Sequence, residues 1–323
     1  MKKVTVTVCI LASAAAMIFS GCQKENVGSC KSGSDTEASA DADKNFENGE
    51  APEDTISQAD QETKDDPAVE ETDWSAFFEG LNGSAVLYDP AENQYQIYNL
   101  EEAQTRRSPC STFKIISSAI GLEDGIIQPD DSVRHWSGES FWNEEWNRDI
   151  GFEDAFRTSC VWYFRQVIDE IGTERMQREL SELKYGNCDI SDWEGTLNTN
   201  SDNRALTGFW IESSLLISPK EQTEVMERIF GDDSEYSQET QEQLKKVMLV
   251  DDQDAAEFSI YGKTGQGATA EATVDAWFTG FADMEGKRLY FCVHLGETEG
   301  GDVSSVRARE IAVRILQEEF SPS

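Results

Sequence analysis

The sequence predicts an α+β fold: an antiparallel sheet formed from both ends of the chain, flanked by helices, with a helical subdomain inserted between its two halves. Strand-type runs occur early, at residues 83–88 and 94–100, and return late, at 257–264, 275–282 and 289–295. Between them the apolar residues recur at helical spacing. A hydrophobic share of 38%, with 8 Trp, 8 Tyr and 16 Phe, is enough for a sizeable core.

The chain opens Met1-Lys2-Lys3, runs apolar from 4 to 19 apart from Thr5, Thr7 and Ser13, and then reads Ser20-Gly21-Cys22. A basic start, a short apolar stretch and small residues before a cut are the parts of an export signal, and the stretch falls short of the roughly 20 residues of a membrane span. Residues 23–72 are Asp, Glu, Ser, Ala, Gln and Asn with few large apolar side chains, too little to offset the entropy of ordering. They read as an acidic disordered tether, extended by self-repulsion beyond the roughly 40 Å of a flexible chain of that length. The folded domain is expected over 73–323, beginning at Trp74 where aromatics return.

Within it, residues 83–88 and 94–100 flank the turn Asp89-Pro90-Ala91-Glu92-Asn93, a hairpin signal. Phe113, Ile116 and Ile120 then mark a helix that stops at Gly125. Further helices are predicted over 159–171, 173–183, 219–230 and 238–250. Three meandering strands follow, with a turn at Met284-Glu285-Gly286-Lys287, and the stripe Val306, Ile311, Ile315, Phe320 reads as a final helix lying on the sheet.

Charge and composition exclude several functions. With 63 acidic and 27 basic side chains the formal charge is −36, a field that repels phosphate backbones, so no nucleic acid partner is expected. His135 and His294 are the only histidines, and neither has a second His or a Cys pair at ligand spacing, so no metal is expected. Neither accompanies a Gly-x-Ser-x-Gly elbow, so a nucleophile here needs another base. After Cys9 and Cys22, the odd remainder Cys30, Cys110, Cys160, Cys188 and Cys292 gives no disulfide framework, and free buried thiols are expected.

Ser111-Thr112-Phe113-Lys114 supplies one. Its hydroxyl and amine lie three apart at a helix start, on neighbouring positions of one face, and free backbone N–H groups there can stabilise an oxyanion. The pattern occurs about once by chance in a chain this long, and Ser181-Glu182-Leu183-Lys184 matches too, on charged helix surface. Setting distinguishes the first, which follows Pro109 among apolar neighbours. Lys263-Thr264-Gly265, at the end of a strand-type run, offers an ammonium, a hydroxyl and a glycine that lets substrate backbone approach. By itself the triplet reads more readily as a strand end with an ordinary turn; the same order as Ser-x-x-Lys weakens that reading.

In this order the motifs resemble those of the penicillin-recognising serine enzymes, and within them the class D β-lactamases, or oxacillinases. Pro109-Cys110-Ser111-Thr112-Phe113-Lys114-Ile115 is similar to the family's first motif, Ser159-Cys160-Val161 to its Ser-x-Val, Tyr185-Gly186-Asn187 to its Tyr-Gly-Asn and Lys263-Thr264-Gly265 to its last element. Phe209-Trp210-Ile211-Glu212 and Trp277-Phe278-Thr279-Gly280 resemble further landmarks, so that the likeness covers residues 74–320. Tyr185-Gly186-Asn187 can also be read as a turn after a helix, and Trp210 as a core aromatic. Val161 stands where transpeptidases and class A enzymes have Asn, and class D enzymes and penicillin sensor domains have Val.

The resemblance implies a β-lactam hydrolase acting through a Ser111 acyl-enzyme. Lys114, its charge disfavoured by apolar surroundings, would be N6-carboxylated by carbon dioxide or bicarbonate and serve as general base, with Val161 and the Trp210 indole forming the carbamate's environment. Ser159 would relay a proton, Lys263 and Thr264 would anchor the substrate carboxylate, and the amides of Ser111 and Gln266, taken to follow a Gly265 turn, would hold the oxyanion. Such enzymes carry an Arg near the start of the last helix; Arg307 and Arg309 straddle that place. The polar stretch 188–208 is longer than the family pattern leads one to expect. Phe19-Ser20-Gly21-Cys22 resembles a bacterial lipoprotein signal, which implies lipid attachment at Cys22 and a position on the outer face of a membrane; an ordinary secretory signal is the alternative. The alternatives to hydrolysis are a penicillin receptor or transpeptidase that is acylated without turnover, and a non-catalytic surface lipoprotein.

Overall fold

The computed structural model describes residues 66–198, 201–250, 258–268, 273–284 and 286–320. The expected signal at 1–22, Cys22 and the tether up to residue 65 lie outside the described residues. The end of the expected tether is instead a strand. Ala68–Glu71 forms β1, which runs parallel to β3 (Gln94–Tyr98), pairing Ala68 with Gln94 and Glu71 with Ile97. All its side chains are exposed, so no alternation betrays it; backbone pairing holds it, with Gln94 Nε2 donating to Glu70 Oε2 at 2.9 Å.

One sheet is ordered β1-β3-β2-β6-β5-β4. Its other members are β2 (Gly83–Asp89), β4 (Ser259–Ala268), β5 (Thr273–Met284) and β6 (Lys287–Gly296), all joined by antiparallel pairings. Both chain ends therefore build the sheet, as expected, with β1 an unforeseen parallel edge. Side chains alternate between its faces: Ala85, Leu87, Phe291 and Val293 pack with α9 (Ser305–Phe320), while Val86, Tyr88 and Tyr290 pack into the helical block.

That block contains α3 (Lys114–Glu123), α4 (Phe152–Arg157), α5 (Val161–Ile171), α6 (Thr173–Glu182), α7 (Pro219–Phe230) and α8 (Gln238–Met248). Near the chain start lie α1 (Ser75–Phe78) and α2 (Leu100–Gln104). The start of α7 is fixed by local chemistry: Pro219 sets the first helical position, and Ser218 and Glu221 exchange side chain to backbone bonds in a capping box. Among the described residues no helix is long and apolar enough to cross a membrane.

β4 corrects the expectation that the chain turns at Gly265. The strand continues through Gly265, Gln266 and Gly267 to Ala268, with a register shift only between Gly267 and Ala268. A Cβ at residue 265 would lie 3.0 Å from the Pro109 carbonyl oxygen and 3.0 Å from Thr112 Cγ2. Glycine is favoured there because the serine-bearing turn packs closely against the strand, so that any Cβ would make its neighbours give way.

Candidate active site

Ser111 lies in a 3-10 turn, Cys110–Phe113, that runs straight into α3 and so stacks Lys114 onto it. Cys110 holds the turn's entry with φ at 50°, a left-handed conformation costly for a residue with a Cβ. Three contacts retain it. Its N–H donates to the Trp210 carbonyl at 2.9 Å, Ser108 Oγ donates to the same oxygen at 3.2 Å, and the Glu212 N–H donates to Ser108 Oγ at 2.8 Å. From the other side, Gln222 Nε2 on α7 donates at 2.8 Å to Thr112 Oγ1, which itself donates to the Pro109 carbonyl at 2.7 Å.

Lys114 Nζ donates to Ser111 Oγ at 2.9 Å. The lysine is 1% exposed, with its amine 5.5 Å from the centre of the Phe164 ring. Burial pushes its pKa down to about 8, against a small opposing pull from the thiols of Cys160 and Cys110. A buried amine of this kind can accept the Ser111 proton when neutral.

Ser159 is also left-handed, at φ 59°, just before α5. Trp146 Nε1 braces this corner by donating to the Thr158 carbonyl at 3.0 Å. Lys263 Nζ reaches across from β4 and donates to Ser159 Oγ at 2.7 Å, to the Thr264 carbonyl at 3.0 Å and to Thr264 Oγ1 at 3.3 Å. Burial, and then the neighbouring Lys114, push the Lys263 pKa well down. Opposing this, three oxygens around Nζ match the three donors of an ammonium. The expected positive anchor is thus a lysine whose charge burial and Lys114 disfavour and whose three oxygen partners support it.

Trp210 is wholly buried and stacks on Phe113 with ring centres 6.1 Å apart. Its indole N–H is buried without an acceptor, an unpaired donor of the kind proteins rarely tolerate. Residues 83–317 of the chain match the family model of the penicillin binding protein transpeptidase domain. The chain belongs to this family. It is 32% identical to the probable β-lactamase YbxI of Bacillus subtilis (strain 168) over 240 residues, covering 74% of this chain and 82% of that protein. The C-terminal domain of the Bacillus licheniformis BlaR penicillin-receptor superposes with a TM-score of 0.69 at 30% identity, over 79% of this chain and 98% of the other. A class D β-lactamase from Bacillus subtilis superposes with a TM-score of 0.66 at 30% identity, over 78% and 98%. Class D β-lactamases and penicillin receptors are therefore both among the relatives of this penicillin-binding domain.

The remaining expected residues of the domain divide. Val161 is half-buried at the start of α5, against the main core. Thr264 lies beside Lys263 Nζ, as expected. Gln266 is exposed, and its side chain turns to the start of α9, where Oε1 accepts from the Ser305 N–H at 3.2 Å. Arg307 is engaged elsewhere, with Glu79 at 2.9 Å and Glu310 at 3.1 Å. Arg309 is half-buried on the same helix. Cys110 and Cys160, both buried free thiols, flank Lys114. Tyr185-Gly186-Asn187 is a turn after α6 and also a staple: Asn187 Nδ2 donates to the Ser214 carbonyl at 2.8 Å and its Oδ1 accepts from the Leu216 N–H at 2.9 Å. Gly186, at φ 52°, leaves no room for a Cβ against the Leu216 carbonyl.

Sequence reasoning missed Ser108 and the use made of Glu212, whose Oε1 accepts from the Ala268 N–H at 2.6 Å and so ties the Trp210 segment to the end of β4. Glu212 at φ 47° had no signal beyond its place in Phe209-Trp210-Ile211-Glu212.

Proposed function

We propose that this chain is a class D type serine β-lactamase that opens penicillin-like rings through an acyl-enzyme on Ser111. The observation that carries this reading is the 2.9 Å bond between Ser111 and a buried Lys114 whose pKa burial lowers to about 8, with Lys263 bonding Ser159. Ser111 Oγ attacks the ring carbonyl while Lys114 Nζ takes its proton. Ser159 Oγ accepts from Lys263 and so keeps its own hydrogen for the departing nitrogen. The Ser111 and Gln266 amides are assigned to the developing oxyanion, and Lys263 with Thr264 to the substrate carboxylate. Trp210 Nε1, a buried donor lacking an acceptor, and the apolar surroundings supplied by Val161 and Phe164 suit a carbamate on Lys114. A carbamate there would supply a base that stays unprotonated at neutral pH, where most of the free amine carries its proton, for activating water in deacylation.

The similarity to a penicillin receptor domain favours a second reading, in which the same acylation occurs and turnover does not. Cys22 is assigned to lipid attachment, which would hold the domain at the outer face of a membrane. Incubation with a chromogenic cephalosporin, with absorbance followed for turnover and mass for the adduct, tests the main reading. Repeated turnover that bicarbonate restores after mild acid supports it. One stable adduct supports the receptor reading, and absence of any adduct removes both.

A further inference from the structure

Arg165 on α5 is 2% exposed, and the catalytic roles assigned above make no use of it. Its guanidinium lies between two indoles, 5.2 Å from the Trp193 ring centre and 5.3 Å from that of Trp210. Nη1 donates to the Trp193 carbonyl at 2.8 Å, and Nε and Nη2 both donate to Asp169 Oδ1, the former at 3.1 Å. Asp169 in turn accepts from Arg204 at 2.5 Å and 2.8 Å, and Arg204 also bonds Glu194 at 2.5 Å. Trp193, Glu194 and Arg204 all belong to the polar stretch 188–208, and Trp193 stacks on Phe209 with ring centres 5.1 Å apart. A buried cation over an aromatic face, itself fixed by a planar fork of hydrogen bonds, adds an oriented contact to the apolar packing of that ring.

We propose that Arg165 is a positioning residue for Trp210, holding the indole ready for an anion on Lys114 Nζ, and that Trp193, Asp169 and Arg204 serve this clamp. The proposal rests on the reading that Lys114 becomes a carbamate. In that step the neutral amine gives its lone pair to the carbon of carbon dioxide, one C–O π pair moves onto oxygen, and one N–H proton leaves to water. Arg165→Met removes the charge and the fork while leaving Asp169 its partner Arg204, so no carboxylate is stranded.

The test titrates the full chain with [13C]bicarbonate at fixed pH and reads carbamate occupancy by 13C NMR, with circular dichroism as the check of folding. The bicarbonate needed for half occupancy should rise roughly tenfold in Arg165→Met. Arg165→Lys, which keeps a charge over the rings, should fall between it and wild type. Arg204→Gln, at a half-exposed side chain, should shift in the same direction by a smaller factor. A folded Arg165→Met chain with wild-type occupancy overturns the proposal. If that variant does not fold, wild-type occupancy in Arg204→Gln overturns it instead. Absence of a carbamate signal from the wild-type chain is a different outcome, and removes the carbamate reading along with the clamp built on it.

Discussion

Replacing Lys114 by Met should stabilise the fold while abolishing acylation. Burial moves the lysine pKa from 10.5 to about 8, and this gap corresponds to about 3 kcal/mol of preference for the neutral amine in the folded chain. The sign follows from linkage. Between pH 8 and 10.5 the unfolded chain binds more protons at this site than the folded one, so stability rises with pH across that window. Below pH 8 the whole penalty is present; above 10.5 it is gone. Methionine fills the stem's volume without a charge, but forfeits the 2.9 Å bond to Ser111, worth about 1 kcal/mol. A net gain of about 2 kcal/mol is expected at pH 7, shrinking to nothing somewhat below pH 10.5 and slightly reversed above it. Urea unfolding of both chains in degassed, carbon dioxide-free buffer measures this, provided the slope with urea is unchanged. A variant no more stable than wild type at pH 7, or a difference that does not vary with pH, would refute the account of Lys114 as a desolvated amine.

Other outcomes follow from the same geometry. Because burial and Lys114 depress Lys263, an anionic β-lactam should draw a proton onto it; binding to Ser111→Ala, measured by calorimetry in buffers of different ionisation enthalpy, should show proton uptake, and none if Lys263 is already charged. Gly265→Ala should push on the Pro109 carbonyl and Thr112, lowering kcat/KM about tenfold and costing about 1–3 kcal/mol in stability; unaltered acylation kinetics would mean that the strand and turn are not in close register. With a net charge of −36, association with an anionic β-lactam should speed up as salt shortens the screening length from about 30 Å at 0.01 M to about 10 Å at 0.1 M, and stopped-flow rates that fall instead would contradict a repulsive average field.

What the sequence disclosed depended on how local the cause was. The start of α7 was readable because Ser218, Pro219 and Glu221 act within one turn. The Ser111–Lys114 contact was readable because three residues along a helical turn bring side chains together. β1 was not, since its exposed Ala68, Val69, Glu70 and Glu71 carry no pattern and its partner is a strand formed later in the chain. β4 was cut short at Gly265 because glycine signals a turn when nothing in the sequence reveals that another backbone lies against it. The bond between Lys263 and Ser159, 104 residues apart, was reachable only through motif resemblance. Arg165 gave no signal, because its neighbours Trp193 and Trp210 come from a later segment.

The two buried lysines make the proposed base chemistry compatible with an acidic chain. Both are held by neutral oxygens: Lys114 by the Ser111 hydroxyl, Lys263 by Ser159 and Thr264. Burial lowers the hold of both on a proton, and Lys114 lowers that of Lys263 further, so the pair shares fewer than two protons more readily than isolated lysines would. The surrounding negative field opposes this by favouring protonation, which leaves burial as the force that keeps Lys114 usable as a base. An arriving carboxylate then breaks the symmetry. It would stabilise charge on Lys263, whose hold on a proton burial and Lys114 lower, and since like charges disfavour each other a charged Lys263 would in turn disfavour a proton on Lys114. On the proposed roles substrate binding would then set anchor and base, and an uncharged substrate should lose rate in acylation as well as affinity.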